Sequence, residues 1–455
     1  MSRINAAIAA TRFGLGARPG ELDRIGGGAE DWLAGQIGSS EVRSLGEAPT
    51  AAESLTWLQT EYPGFRRRID EDGADPEEIQ RRVRELVREP RIAHISARTG
   101  LAVTTQDSFA ERWVRFWSNH FSVGPSSLQL ALIGPTLEAE AIRPNAFGRF
   151  EDLLLAAELH PAMLIYLDQA LSIGPNSRAG RFLDRGLNEN LAREILELHT
   201  LGVDGGYDQE DVEALARILT GWTIASRRLR SAPEDYGQPV FDERLHEPGA
   251  QRLLGRRFSG DGPDKARDAL RFLADRPQTA GFISAKLARH FFADDPDPAD
   301  IAHIAAAWRD SGGDLAAIAR SLITAPSAFS PAPVKFKTPE EYLVSSLRAL
   351  EAPPPSPRQL YTGYVALGQA PFSAPSPAGW PDRAEDWASP DAVLKRLDFA
   401  STLADRVGAA ARPRERAVEI LGERLTPDTA LAISRAETAE QGLTLLLMSP
   451  EFQRR

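Results

Sequence analysis

The sequence predicts an all-α fold: one large, predominantly helical domain with a minor β-hairpin near 239–258. Apolar residues recur at helical spacing almost throughout, while the period-2 alternation of a half-buried strand is nearly absent. Helix start signals also recur along the chain.

In chain order the pattern predicts helices over about 28–37, 50–60, 76–104, 107–121, 129–142, 148–158, 161–171, 187–201, 209–223, 264–274, 278–292, 298–310, 313–324, 338–350, 356–368, 391–406, 412–422 and 428–448. Residues 62–90 are strongly charged and read as a helical arm; within them Pro76, Glu77 and Glu78 open a helix, as proline and acids do at an N-terminus. Phe109, Trp113, Phe116, Trp117 and His120 form an aromatic stripe on 107–121. His160 precedes Pro161, which biases it away from α geometry and makes it a cap for the helix holding Met163 to Leu167. Asp208 and Asp211 make a capping arrangement before the stripe Val212, Leu215, Ile218, Leu219, Trp222. Pro239–Asp242 and Leu253–Phe258 are the strand candidates, paired around Pro248-Gly249. The Pro-rich segment 370–390 carries Phe372 and Trp380 and reads as an ordered loop packed on the core. No internal repeat or linker divides the chain, so residues 1–455 read as one domain.

A 42% apolar content is ordinary for a globular chain, and 455 residues suffice for a sizeable core. A net charge of −11 argues against general binding to nucleic acid or anionic membranes. With no cysteine, thiolate metal sites, disulfides and cysteine nucleophiles are excluded. No run of about 20 apolar residues predicts a membrane span. The N-terminal small-residue run is too short for a convincing signal peptide, leaving cytoplasm, or export with a partner, as the compartment.

The most informative stretch is Gly186 to Gly202. On a helical wheel Leu187, Leu191, Ile195 and Leu198 form one side, and Asn188 and His199 fall in the same half. Glu189, Arg193 and Glu197 run along the other, beside Asn190 and Glu194. A polar group buried without a partner costs roughly 1–3 kcal/mol. Asn188 and His199 therefore need partners from distant segments, or the helix lines a polar cavity. Glu194 and Glu197 stand at i, i+3, a spacing that can present two carboxylates to one ion, but any metal site would need ligands from elsewhere in the chain.

The other candidates are His120 within its aromatic stripe, His160 at a helix junction, His246 beside Glu247, and Lys286 one turn before His290. P-loop, nucleophile-elbow and dinucleotide signatures are absent.

The chain resembles a bacterial family, domain of unknown function 1800, almost end to end. The likeness rests on Arg12-Phe13-Gly14-Leu15-Gly16, Phe116-Trp117-Ser118-Asn119-His120-Phe121, His160-Pro161, the Asn188-Glu189-Asn190 helix with Leu198-His199-Thr200-Leu201-Gly202, and Leu219-Thr220-Gly221-Trp222. It continues through His246-Glu247-Pro248-Gly249, Lys286-Leu287-Ala288-Arg289-His290-Phe291, Pro375-Ser376-Pro377-Ala378-Gly379-Trp380-Pro381 and Ser449-Pro450-Glu451-Phe452. The resemblance brings no established reaction. It implies a partner by association, since family genes often neighbour genes for phosphatase-like proteins, many with export signals.

Two functions are expected. The first is an enzyme with a His/carboxylate pocket, a metal-assisted hydrolase acting on envelope material. His199, His120 and His160 would be ligands or acid/base groups, Glu194 or Glu197 would activate water, and Arg193, Lys286, His246, Asn188 and Trp380 would bind substrate. The cofactor would be a divalent metal; the Asn-Glu…His-Thr-Leu run faintly echoes a haem peroxidase helix, but its spacing differs and no proximal-histidine motif accompanies it, which argues against haem. The second is a non-catalytic helical escort of the phosphatase-like neighbour. Converging His and Glu side chains in a concave pocket would favour the enzyme, a flat apolar patch the escort.

Overall fold

The computed structural model describes residues 3–46, 48–71, 75–182, 186–353, 355–408 and 412–455. Helices dominate, and the strands among the described residues form two small antiparallel pairs. The charged segment 62–90 forms the helix Tyr62–Glu71 and the first half of α1 (Pro76–Thr104); its residues 72–74 lie outside the described residues.

The core is organised around α2 (Ser108–His120), on which Phe109, Trp113, Phe116, Trp117 and His120 are buried. Trp113 and Trp117 meet edge to face at 5.7 Å, and Trp117 packs on Phe150 of α3 (Phe150–Glu158). Such pairs add about 0.5–1.5 kcal/mol each beyond area burial. On the other flank Phe109 and Phe13 pack against Phe291 of α5 (Pro277–Phe291).

The segment 187–201 departs from the expected helix. Its α-helical part is only α4 (Asn190–Glu194), which passes into a π-helical turn, Ile195–His199. Leu187 to Glu189 lie ahead of the helix. Asn188 accordingly does not sit in a buried stripe. It is half-buried, and its side-chain oxygen accepts the Asn190 N–H at 2.9 Å. Asparagine competes for nearby backbone donors in this way and so starts helices more readily than it extends them. A second π turn, Glu138–Ile142, supplies Glu138 to the core.

The strand pairing also differs. β1 (Trp222–Ile224) pairs with β2 (Pro239–Phe241), and β3 (Gln251–Leu253) with β4 (Arg256–Phe258). The second pair turns at Leu254-Gly255, both with positive φ, the geometry that closes a tight two-residue hairpin. That local turn takes 253–258 out of reach of 239–242, which instead joins Trp222, ring to ring with Phe241 at 5.9 Å.

Charge is buried here on a large scale. On α2, Glu111, Arg112 and Arg115 are as buried as the aromatics. Arg143 bridges Glu111 at 2.8 Å and Glu138 at 2.5 Å, and Arg98 reaches Glu138 at 2.7 Å. Arg115 bonds Glu340 of α6 (Pro339–Leu350) at 2.6 Å. Three guanidinium groups thus face three carboxylates, and the adjoining arginines hold Glu138 well below the usual carboxylate range. No described helix is long and apolar enough to cross a membrane.

Candidate active site

His120 ends α2, wedged against Phe121 at 4.6 Å and Trp117 at 5.4 Å. Burial, with Lys286 beside it, pushes its pKa well below the ordinary histidine value, so the ring is neutral. Its tautomer follows from its neighbours. Nε2 is 3.2 Å from the carbonyl oxygen of His199, which can only accept. Nε2 therefore carries the proton, and Nδ1 presents a lone pair to the Lys286 ammonium at 2.9 Å. Burial and nearby Arg289 lower the Lys286 pKa to about 8.

One turn beyond Lys286 on α5 stands His290. Its Nδ1 lies 3.2 Å from Oδ2 of Asp382. Asp382 is held below the usual carboxylate range by His290, Lys335 and Arg455, which outweigh its burial, so it is ionised and must accept. Nδ1 then bears the proton and Nε2 a free lone pair, with no partner among the described residues. Burial keeps this imidazole neutral in spite of the carboxylate. Behind Asp382, the buried Lys335 ammonium is 3.2 Å from Oδ1 and 2.6 Å from Asp294.

One side-chain amide clamps the loop carrying Asp382 to the end of α2. Asn119, next to His120, donates to the Trp380 carbonyl at 3.0 Å and accepts the Trp380 N–H at 2.8 Å. Gly379 has φ +84°, and a Cβ there would collide with Asn119. Trp387 braces the turn by donating to the Pro381 carbonyl at 3.0 Å, and its ring packs 6.0 Å from Trp380. Trp380 itself is half-buried, less than a core indole would be, because it forms a pocket wall.

That pocket, of about 230 Å³, is lined by His120, Lys286, Arg289, His290, Trp380 and Asp382 among others. A second, narrow cavity of about 80 Å³ shares Asn119, His290, Trp380 and Asp382 and runs toward Arg98, Arg115 and Glu138. His290 and Asp382 thus stand between an outer pocket and the buried charge network.

His199 lies behind this site. It is fully buried, as is Glu158 of α3, whose Oε1 is 2.7 Å from its Nδ1. The two are close but misaligned, and neither makes a directed hydrogen bond among the described residues. His199 reaches the pocket only through its backbone carbonyl, which orients His120. Half-buried Glu194 senses His199 and Glu158, and burial raises its pKa.

The remaining candidates are not brought to the pocket. His160 caps the helix Pro161–Tyr166 by accepting the Ala162 N–H at 3.1 Å, and its Nε2 lies 3.3 Å from Glu140. His246 donates Nδ1–H to the Thr220 carbonyl at 2.7 Å, beside the β1–β2 pair. Arg193 bridges Glu189 at 3.0 Å and Glu197 at 3.6 Å, a partly exposed ladder on α4 and its π turn. Asn188 turns at the start of α4. Among the described residues, no three His, Asp or Glu side chains converge as a metal site.

The sequence reading missed Asp382 and Glu158, and it expected a carboxylate from the central helix 187–201 as a partner for Lys286 or His290, where His290 instead meets Asp382. The i, i+4 spacing of Lys286 and His290 placed them on one face of the helix, as they are. The aspartate after Trp380-Pro381 offered none, since its partner lies far away in sequence.

The family model described as "Protein of unknown function (DUF1800)" matches residues 8–454. No curated protein and no solved structure matches the chain.

Proposed function

As the chain belongs to the DUF1800 family, a membership that names no reaction, we propose from the pocket itself that the protein is an enzyme working by general acid–base catalysis, of the hydrolytic class. The observation that carries this is His290: a neutral imidazole with Nδ1–H held by Asp382 and a buried, unpartnered Nε2 in the wall shared by the two cavities. A base held in one tautomer by a carboxylate is the arrangement that activates water or a hydroxyl. Lys286, with a pKa near 8, is the proton donor for a leaving group. His120 keeps that ammonium in place without competing for its charge, and Asp382 is a positioning residue.

In this reading the metal-assisted form gives way to side-chain acid–base chemistry, and His199 and Glu158 support His120 from behind. Action on envelope material rests on the family resemblance alone. The test is hydrolysis of ester, phosphoester and amide substrates, including cell-envelope fragments, by the wild type and by His290→Ala and Asp382→Asn. General base catalysis contributes about 10²–10⁴-fold, so the histidine variant should lose a rate of that order. Equal rates in wild type and variants would sink the assignment.

The escort reading draws on a different surface. On the helix Pro390–Val407, Leu394 is 60% and Leu397 41% exposed, an apolar stripe of the kind partners cover. Co-purification with the phosphatase-like neighbour, abolished by Leu394→Asp, would favour it.

A further inference from the structure

Lys286 and Arg289 are two cations on one helix, close enough that Arg289 lowers the charge affinity of Lys286. Neither forms an ion pair with a carboxylate among the described residues; Lys286 bonds only neutral His120. Arg289 Nε is buried and has no hydrogen-bond partner. Trp380 Nε1, on the facing wall, is also buried and unpartnered. An indole N–H and a guanidinium N–H can only donate. The buried guanidinium groups elsewhere are hydrogen-bonded, to carboxylates at Arg98, Arg115 and Arg143 and to carbonyl, hydroxyl or amide oxygens at Arg12, Arg396 and Arg424. The carboxylates nearest this pocket are already engaged: Asp382 with His290 and Lys335, Asp386 with the Arg383 N–H.

We propose that the outer pocket is an oxyanion-binding subsite, in which Lys286, Arg289 and the Trp380 indole N–H together seat a phosphoryl or carboxylate group. The acceptor that Arg289 Nε and Trp380 Nε1 lack among the described residues is then the ligand's. Charge-assisted hydrogen bonds to such a group are roughly twice as strong as neutral ones, and an arginine fork with an ammonium suits a planar or tetrahedral oxyanion. In a substrate, this group would sit within one helical turn of His290, anchoring the molecule while the free Nε2 addresses its reacting atom. That last step rests on the active-centre reading above; anion binding does not.

The experiment is calorimetric titration of the full-length protein with inorganic phosphate and, separately, with malonate, at pH 7 and pH 9.5. At least one should bind at pH 7, and the stronger of the two identifies the group. Arg289→Met should weaken it by about tenfold or more, a loss of about 1.4 kcal/mol or more. Trp380→Phe should weaken it several-fold, and Arg217→Met, in a remote surface pair with Glu213, should leave it unchanged. Affinity should fall at pH 9.5 as Lys286 loses its proton. Thermal melts check that each variant is folded; if Arg289→Met fails to fold, Arg289→Lys and Trp380→Phe carry the comparison. No binding of either anion at about 20 mM, well above the roughly millimolar range of weak sites, overturns the proposal, as does equal affinity in folded Arg289 and Trp380 variants. His290→Ala separates the two readings: it should lower turnover about 10²–10⁴-fold and keep the anion.

Discussion

Nδ1 of His120 lies 2.9 Å from the Lys286 ammonium, while Nε2 of the same ring is committed to the His199 carbonyl. The ring can therefore be protonated only if Lys286 gives up its own proton. One proton serves the pair, and at neutral pH it sits on the lysine. Lys286 is faced by His120 from α2, by Arg289 on its own helix and by Asp382 from the tryptophan loop.

Lys286 should be an unusually reactive amine. Its folded pKa of about 8 means that much of it is neutral near that pH. Brief acylation followed by peptide mass mapping should label Lys286 with a midpoint near pH 8, ahead of the more exposed Lys395. Labelling of Lys286 only above about pH 10, the ordinary lysine range, would contradict its environment.

Asp382→Asn should disturb the imidazole before it disturbs the fold. Without the carboxylate, nothing compels the proton onto Nδ1 of His290, and its pKa should fall further because the charge that raised it is gone. Nitrogen chemical shifts of the labelled ring would show the Nδ1–H form in the wild type and a mixture in the variant. Identical shifts in both would remove Asp382 from its positioning role.

Acid should unfold this protein through its buried carboxylates. Asp382 and Glu341 are both held below their ordinary values by arginine, lysine or histidine neighbours. A depressed carboxylate stabilises the fold above its unfolded pKa, and that stability is lost as pH falls through the folded one. Melting temperature should begin to fall below about pH 6.5, where the neutral buried rings of His120 and His290 would charge on unfolding, and fall more steeply below about 4, where unfolded carboxylates protonate. Asp382→Asn should show a shallower acid fall; an unchanged slope would mean that the aspartate is not depressed.

Glu138→Ala should be severe. It leaves Arg98 and Arg143 in the core short of one carboxylate, and breaking a buried pair in this way costs about 3–5 kcal/mol. Denaturant titration measures it. A loss under about 1 kcal/mol, the scale of exposed pairs, would show that the network is wetter than its burial indicates.

Gly379→Ala should open the pocket wall. The residue has φ +84° and no room for a methyl against the Asn119 carbonyl. Strain of this kind costs about 1–3 kcal/mol. The loop is expected to move instead of the helix, so the Trp380 contribution to fluorescence should shift while far-ultraviolet dichroism stays constant. Unchanged emission would mean that the clamp tolerates the methyl.

The architecture was largely legible because helix faces write themselves at a local period. The aromatic stripe of α2 and the burial of His199 followed from spacing alone. Asn188 was misplaced because a wheel cannot show where a helix begins; its side chain starts the helix that the periodicity seemed to carry through it. The hairpin was mispaired because Leu254-Gly255 closes a tighter turn than Pro248-Gly249. The His290–Asp382 pair was illegible for a different reason. It is a contact between segments that share no pattern, brought together only when Asn119 takes hold of Trp380.

Chain order also fixes how late this site can be completed. During synthesis, a chain that has emerged as far as α5 already holds both members of the His120–Lys286 pair. The wall that completes the pocket follows nearly a hundred residues later, when Trp380 reaches Asn119. A nascent or C-terminally truncated chain would present two cations and an unaligned imidazole to the surrounding water. Until that contact forms, the pocket lacks its Trp380 wall and His290 lacks Asp382.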